Sequence, residues 1–247
     1  MAEGRLSVTM DDVGLAPAVT AALRRCLKAG ALDRVSVMAT GEDFDAASGL
    51  AASSGLPVSA HLNCVEPPFL TDAGFPRSLL AWTLHASSLA PSVRQEWRRQ
   101  LEAMLARGLM LTGLDSHRHL HHLPPLRKVA LDLAEEFGLR RVRAAQLPSG
   151  EGGIRGLYLR RLGRRMARAA SDRGLQPGGL MFGFGRAGRV DRSYLERVER
   201  LLESEAAAGA ELVVHPAVKP VWSPGQPEEL ALLTSDWYGE WSLRCRD

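Results

Sequence analysis

The sequence predicts an α/β fold in which a parallel sheet closes into a single barrel. Predicted strands and helices alternate along most of the 247 residues, which is typical of parallel strands joined by crossover helices. Polar residues that could do chemistry follow four of the predicted strands, and parallel barrels and open doubly wound sheets both assemble their sites at that edge. Contributions from four separate strands favour a closed barrel over an open sheet. The segment after the first strand, Asp-Asp-Val-Gly-Leu-Ala, also lacks the glycine pattern of a dinucleotide-binding loop.

The first half of the chain predicts a regular alternation of strands and helices, followed by a long loop. Asp11 and Asp12 follow the first strand directly, and the third strand ends at His61, with Asn63 close behind. Prolines and a glycine between residues 66 and 76 predict a long loop, of the kind that often binds or covers a ligand. The predicted strands cover residues 6–10, 35–39 and 56–62, and the predicted helices cover 18–28 and 44–54.

The second half predicts a similar alternation with weaker strands. A fourth strand begins in the apolar run 109–111 and leads to Asp115, and the last strand leads to His215. The other predicted strands cover 140–143, 180–184 and 211–214, and the predicted helices cover 92–107, 126–137, 155–173, 191–208 and 228–233. Because no internal repeat or low-complexity linker divides the chain, residues 1–247 are predicted to form a single domain.

The composition favours a cytoplasmic protein without a membrane span. The N-terminus lacks the apolar run of a signal peptide, and no stretch reaches the roughly 18 apolar residues that a spanning helix needs. An odd number of widely spaced cysteines predicts reduced thiols rather than a disulfide framework. These cysteines are Cys26, Cys64 and Cys245.

The positive charge is modest overall but concentrated in one segment. The formal net charge is +3, and arginines cluster in the predicted amphipathic helix 155–173. A solvated helix face is the simpler interpretation of this helix, and an anion-binding or partner surface is the alternative. No aromatic interleaving or nucleic-acid motif accompanies the arginines, which argues against DNA or RNA as a partner.

The most distinctive stretch of the sequence is a histidine run after the fourth strand. Neutral imidazole is the commonest metal ligand in proteins. Alternate residues of an extended segment lie about 6.6 Å apart, whereas imidazole binds zinc at roughly 2.0–2.1 Å, so at most two neighbours could share one ion. The remaining ligands must come from other strands, and Asp12 and His61 are the candidates. The run contains His117, His119, His121 and His122.

Each of these residues also has a simpler structural interpretation. Histidines can satisfy loop hydrogen bonds, and this is the preferred interpretation of His85 and His122. Aspartates are common in turns, although Asp11 and Asp12 would point to opposite sides of an extended strand and could serve a metal and a water separately. Asp115 could orient a histidine or cap its loop. A metallo-β-lactamase-like pattern is disfavoured because His121 stands where that pattern needs aspartate.

Four segments in order resemble one known family. They are Thr9-Met10-Asp11-Asp12-Val13-Gly14-Leu15, His61-Leu62-Asn63, Leu114-Asp115-Ser116-His117-Arg118-His119-Leu120-His121 and His215-Pro216. Together they resemble the YdjC/ChbG-like carbohydrate deacetylases, which include a hopanoid-biosynthesis-associated branch. The resemblance implies a distorted TIM-like (β/α) barrel of the glycoside hydrolase/deacetylase kind. It also implies a divalent metal and hydrolysis of the N-acetyl group of an amino sugar or glycosylated compound, and it admits a homodimer.

The same resemblance assigns roles to residues. It implies that Asp12, His61 and His117 bind the metal, that Asp11 is the general base, and that His215 is an acid or stabilises the transition state. Four further residues are expected to bind substrate or to support the ligands: Asp115, His119, His121 and Asn63.

The sequence departs from the usual family pattern without removing a proposed ligand. Thr9-Met10 replace Asn-Ala, Val13 replaces Phe, and Ala217 replaces Gly. These changes alter the pocket walls and therefore bear on the substrate. A ligand set of two histidines and one aspartate suits zinc, while the resemblance also points to magnesium. The alternatives are a non-catalytic barrel that binds a glycan or glycolipid, and a metal-dependent hydrolase of another amide or an ester.

Overall fold

Seven parallel strands form one sheet in the computed structural model, which describes residues 6–204 and 209–246. Their order across the sheet is β5-β4-β3-β2-β1-β7-β6. Every residue of β3 and β7 is buried, as expected for a parallel sheet that is covered on both faces. The strands are β1 (Leu6–Val13), β2 (Arg34–Val37), β3 (Val58–Leu62), β4 (Leu111–Ser116), β5 (Arg141–Val142), β6 (Met181–Phe182) and β7 (Ala210–Val214).

Irregular hydrogen bonds join the two edges of this sheet. The Val142 amide donates to the Gln176 carbonyl at 3.0 Å, and the Met181 amide donates to the Gln146 carbonyl at 3.0 Å. The segment before β6 therefore pairs with the segment that contains β5, and the sheet curls round on itself. The prediction of an α/β fold of the distorted TIM-like barrel kind is confirmed. The prediction of a single domain over 1–247 stays a prediction.

Helices connect successive strands, as crossover geometry requires. The described residues include eight: α1 (Pro17–Lys28), α2 (Phe44–Ser53), α3 (Leu79–Ala106), α4 (Pro124–Glu136), α5 (Gly153–Ser171), α6 (Arg192–Ser204), α7 (Gln226–Leu233) and α8 (Asp236–Arg246). The last four residues of the predicted helix 191–208 lie outside the described residues. None of the helices described here is both long and apolar enough to cross a membrane.

Helix α3 is much longer than the sequence predicted, because it continues through Pro91. The prediction of a start at Ser92 was wrong. The Ser78 side chain caps the true N-terminus by accepting from the Ala81 amide at 3.2 Å. The first turns bury Trp82 and Ala86, and this apolar contact compensates for the hydrogen bond that proline cannot make.

Helix α8 was not predicted, since its sequence is rich in polar residues. Its inner face carries Tyr238 and Trp241, which are almost fully buried. The Tyr238 hydroxyl donates to the Ala31 carbonyl at 2.9 Å. The packing of these two aromatic rings against the rest of the protein therefore determines that this segment forms a helix. Cys26, Cys64 and Cys245 are all buried, and Cys26 and Cys64 are free thiols, as predicted.

Candidate metal centre and its cavity

The polar residues that follow four separate strands meet at one end of the barrel. β1 carries Asp11 and Asp12, β3 carries His61, β4 leads to His117, and β7 leads to His215. All five residues line one cavity of about 750 Å³. The position at the carboxyl ends of the strands is the one that parallel barrels use for their active sites.

Asp12 lies between two imidazole rings. Its Oδ1 atom is 3.1 Å from His61 Nε2 and 2.9 Å from His117 Nδ1. The backbone at Asp12 is left-handed, with φ of 58°, and the pairing of β1 with β2 shifts between Met10 and Val13. This bulge turns the side chain of Asp12 towards the histidines, because an extended residue there would follow the simple alternation.

The three side chains fit a divalent cation. Asp12, His61 and His117 are buried, and each offers a ligand atom within 4.8 Å of the others. His61 Nε2 is buried beside Asp12 in a geometry that makes no hydrogen bond with any described residue. Two imidazoles and one carboxylate form a common catalytic donor set for zinc. The group therefore could hold a metal ion.

The electrostatics of these histidines indicate surplus negative charge. Burial by itself disfavours the charged form of His61, but Asp11 and Asp115 raise its pKa to about 10. Burial acts the same way on His117, and Asp12 raises its pKa to about 9. Carboxylates that attract protons onto two imidazoles would attract a divalent cation in their place, with release of those protons.

Asp115 lies behind His61 rather than in the cavity. Its Oδ1 atom is 2.5 Å from His61 Nδ1, and both carboxylate oxygens accept from the Ser36 hydroxyl at 2.9 Å. A carboxylate on the rear nitrogen of a ligating histidine fixes the ring orientation and leaves the other nitrogen free for a metal. Of the two interpretations open for Asp115, the geometry fits the orienting one.

Trp222 is a site residue that sequence reasoning missed. Its indole N–H donates to Asp12 Oδ2 at 3.0 Å. Its ring also packs edge-on against His215, with ring centroids 5.3 Å apart. Because the indole occupies Oδ2, the Oδ1 atom is the one presented to the two histidines. No local pattern marks this tryptophan, which lies in an irregular segment after β7.

Arg143 is a second site residue that the sequence did not reveal, and it forms a bidentate ion pair with Asp11. Its guanidinium donates to Asp11 Oδ2 at 2.7 Å and to Asp11 Oδ1 at 2.9 Å. It also contacts Glu211 at 3.1 Å and Asp115 at 3.4 Å. Although burial opposes its charge, the carboxylate of Asp11 helps to raise the pKa of Arg143 well above its usual range. Its position at the end of a predicted strand was the only available signal.

The histidine run folds into a tight turn rather than an extended segment. Arg118 and His119 have left-handed backbone, with φ of 52° and 57°. The turn over His117–His122 therefore separates the rings instead of aligning them on one face. Only His117 of the run contacts Asp12.

The other histidines of the turn have different surroundings. His121 is buried between the Ser116 hydroxyl, 2.6 Å from its Nδ1, and the Arg143 carbonyl, 2.9 Å from its Nε2. Burial lowers the pKa of His121 to about 4. His122 accepts from the Ala145 amide at 2.8 Å, in line with its structural interpretation. His119 lines the cavity.

Asn63 and His215 organise the loops that follow β3 and β7. The Asn63 side chain accepts from the amides of Val65 and Glu66 at 2.8 Å and 3.1 Å, and it does not line the cavity. The His215 amide donates to Glu229 at 2.6 Å, and burial lowers the pKa of the His215 ring.

The long loop after β3 contributes Glu66 to the cavity. Glu66 Oε1 lies 3.4 Å from His117 Nε2 and accepts from Arg118 at 2.9 Å. The nearby His117 ring lowers the pKa of Glu66. The predicted loop therefore reaches the site, although no residue within it was singled out.

Known proteins resemble this chain in sequence and in fold. A carbohydrate deacetylase from Brevibacillus brevis is 32% identical over 141 residues, which is 54% of this chain and 56% of that protein. A carbohydrate deacetylase from Mus musculus is 30% identical over 167 residues, which is 60% of this chain and 52% of that protein. The matches to these two relatives thus span little more than half of their lengths.

Two solved structures share the fold. A proposed cellobiose-phosphate cleavage protein from Enterococcus faecalis superposes with a TM-score of 0.69 at 20% identity, over 96% of this chain and 93% of that one. An uncharacterised protein from Agrobacterium tumefaciens superposes with a TM-score of 0.55 at 13% identity, over 98% and 84% of the two chains.

The family resemblance noted in the motifs is confirmed over nearly the whole chain. Residues 5–244 match the sequence model of the family described as YdjC-like protein. The chain therefore belongs to the YdjC-like protein family.

Proposed function

We propose that this chain is a metal-dependent deacetylase that hydrolyses the N-acetyl group of an amino sugar or of a glycosylated compound. The observation that carries the proposal is one cavity lined by Asp11 and by the cluster of Asp12, His61 and His117. The Asp11 carboxylate is held there by its ion pair with Arg143. The names of the relatives in Brevibacillus and mouse support the reaction class.

The residues present divide the chemistry between them. A divalent cation held by Asp12, His61 and His117 would supply Lewis-acid polarisation of the acetyl carbonyl and lower the pKa of a water. Asp11 accepts the proton of the attacking water, and the bidentate contact with Arg143 keeps its carboxylate facing the cavity. A carbon–oxygen bond forms to the acetyl carbon, its bond to nitrogen breaks, and the departing amine takes a proton. His215 lines the same cavity and donates to the oxyanion or to the amine.

We propose zinc or magnesium as the ion, and the donor set favours zinc. Two neutral imidazoles beside one carboxylate suit zinc or another transition metal, whereas magnesium prefers oxygen ligands and retained waters. We further propose that the protein works in the cytoplasm, because three widely spaced cysteines predict reduced thiols rather than a disulfide framework.

The experiment that tests the function measures acetate release from a panel of N-acetylated sugars, sugar-linked natural products, lipid-linked glycans and acetyl esters, with and without chelator. We expect chelator-sensitive release from an N-acetylated member of the panel. Asp11→Asn should abolish turnover with the metal still bound. Release from esters alone would support another metal-dependent hydrolase, and no release from any compound would support a glycan-binding barrel.

A further inference from the structure

The mouth of the cavity is surrounded by exposed apolar side chains. Twelve large apolar residues are exposed in the described part of the chain. Nine of them lie on the three segments that border this mouth, which are 66–84, 154–158 and 221–222. Their concentration matters because isolated exposed apolar residues are ordinary, whereas a contiguous group marks an interaction surface. The apolar rim is defined by Leu79, Leu80, Leu84, Ile154, Leu157 and Tyr158.

Several residues of the apolar rim face outward rather than into the cavity. Leu80, Leu84 and Leu157 are 70%, 70% and 67% exposed and do not line the cavity. A ligand held inside would leave them in water. The rim therefore fits an extended partner surface that lies across the mouth.

The elements that border the mouth carry positive charge on balance, because Arg77 and the arginines of α5 outnumber Glu66 and Asp72. Helix α5, which carries half of the rim, contains six arginines and no acidic residue. Arg77 and Arg155 line the mouth and make no ion pair within the described residues. Two copies of the chain that met face to face across this rim would bring like charges together, whereas an anionic surface would complement them.

We propose that the apolar rim and its arginines dock the mouth of the cavity onto an anionic lipid bilayer. Leucine and isoleucine side chains enter the boundary between headgroups and acyl chains, and the tyrosine ring lies at the headgroup level. The arginines pair with anionic headgroups. The cavity then opens onto the membrane surface. The proposal is independent of the reaction that the cavity catalyses.

Vesicle co-sedimentation of the full chain tests this docking. Phosphatidylcholine vesicles with and without phosphatidylglycerol are compared at low and high salt. We expect binding to the anionic vesicles that weakens with salt. The double variant L80E/I154E should bind about tenfold more weakly or worse, because it removes two apolar contacts and adds two repelled charges. R77E/R155E should lose binding to a similar degree.

Matched variants control for general effects of the substitutions. Met110 and Leu243 are 85% and 66% exposed, close to 89% and 70% for Ile154 and Leu80. M110E/L243E should bind like the wild-type chain. No wild-type binding to anionic vesicles, or an equal loss in M110E/L243E, would overturn the proposal. Sedimentation velocity without lipid adds a further test. If the wild-type chain forms a dimer that L80E/I154E disrupts, and does not bind vesicles, the rim is a self-association surface instead.

Discussion

Arg143→Lys separates the catalytic role of Asp11 from the stability of its ion network. Arg143 makes four hydrogen bonds to Asp11 and Glu211 and one longer contact with Asp115. A lysine has three N–H donors at a single point, so at least one or two charge-assisted bonds are lost. At roughly 1.5–3 kcal/mol each, the free energy of unfolding should fall by about 1.5–6 kcal/mol. For a chain of this size that corresponds to a Tm lower by roughly 3–24 °C.

The turnover rate of Arg143→Lys should fall by more than its loss of folding stability can explain. Without the planar fork, Asp11 can rotate away from the attacking water. Loss of a positioned general base costs about 10²–10⁴ in rate. We expect this loss in kcat for acetate release, with KM nearly unchanged, because Arg143 does not line the cavity. Thermal unfolding is followed by circular dichroism on the same preparations.

Arg141→Lys is the matched control. Arg141 is buried and pairs with Glu211 at 3.0 Å, and among the described residues it makes no contact with Asp11. This variant should lose stability but keep its kcat. Wild-type kcat in Arg143→Lys, or the same loss of kcat in Arg141→Lys, would refute the view that Arg143 positions the base.

Three further predictions concern the metal ligands and one buried acid. His117→Ala should purify with little zinc, whereas His119→Ala, from the same turn, should keep it; elemental analysis that finds equal metal in both would contradict the ligand assignment. Asp115→Asn should weaken zinc binding about 10–100-fold by removing the charge that orients His61, and an unchanged affinity in calorimetry would argue against that role. Burial raises the pKa of Glu229 from 4.5 to about 8, so between these values the folded chain holds a proton that the unfolded chain has released. Stability should therefore fall as pH rises from 4.5 to 8. Glu229→Gln should remove this part of the pH dependence of stability. If denaturant titrations at several pH values gave the same pH dependence for both chains, the result would contradict this assignment.

The sequence predicted the residues that follow individual strands and missed those that only the curled sheet brings together. Asp12, His61 and His215 were found because each follows a strand whose alternation or apolar run is visible locally. Arg143 was missed because its partner Asp11 lies 132 positions away, and no local pattern pairs the two. Trp222 was missed for the same reason, since its indole reaches Asp12 across the barrel mouth.

At two places the local backbone conformation could not be predicted from the sequence. The sequence left the conformation of the histidine run open, and left-handed backbone at Arg118 and His119 folds it into a turn. Arg118 gives no sequence signal for that conformation, whereas histidine is among the residue types enriched in it and gives only a weak signal at His119. The start of α3 was placed after Pro91, because proline ordinarily ends a helix, and the burial of Trp82 overrides that preference.

The most direct test of the metal centre is an anomalous difference map from crystals soaked in zinc. We expect one strong peak at the carboxyl end of the barrel, within coordination distance of Asp12, His61 and His117 at roughly 2.0–2.2 Å. His117→Ala crystals treated in the same way should show a weak peak or none. A wild-type map with no peak among these three residues, or with its strongest peak elsewhere on the chain, would contradict the metal centre on which the proposed deacetylase rests.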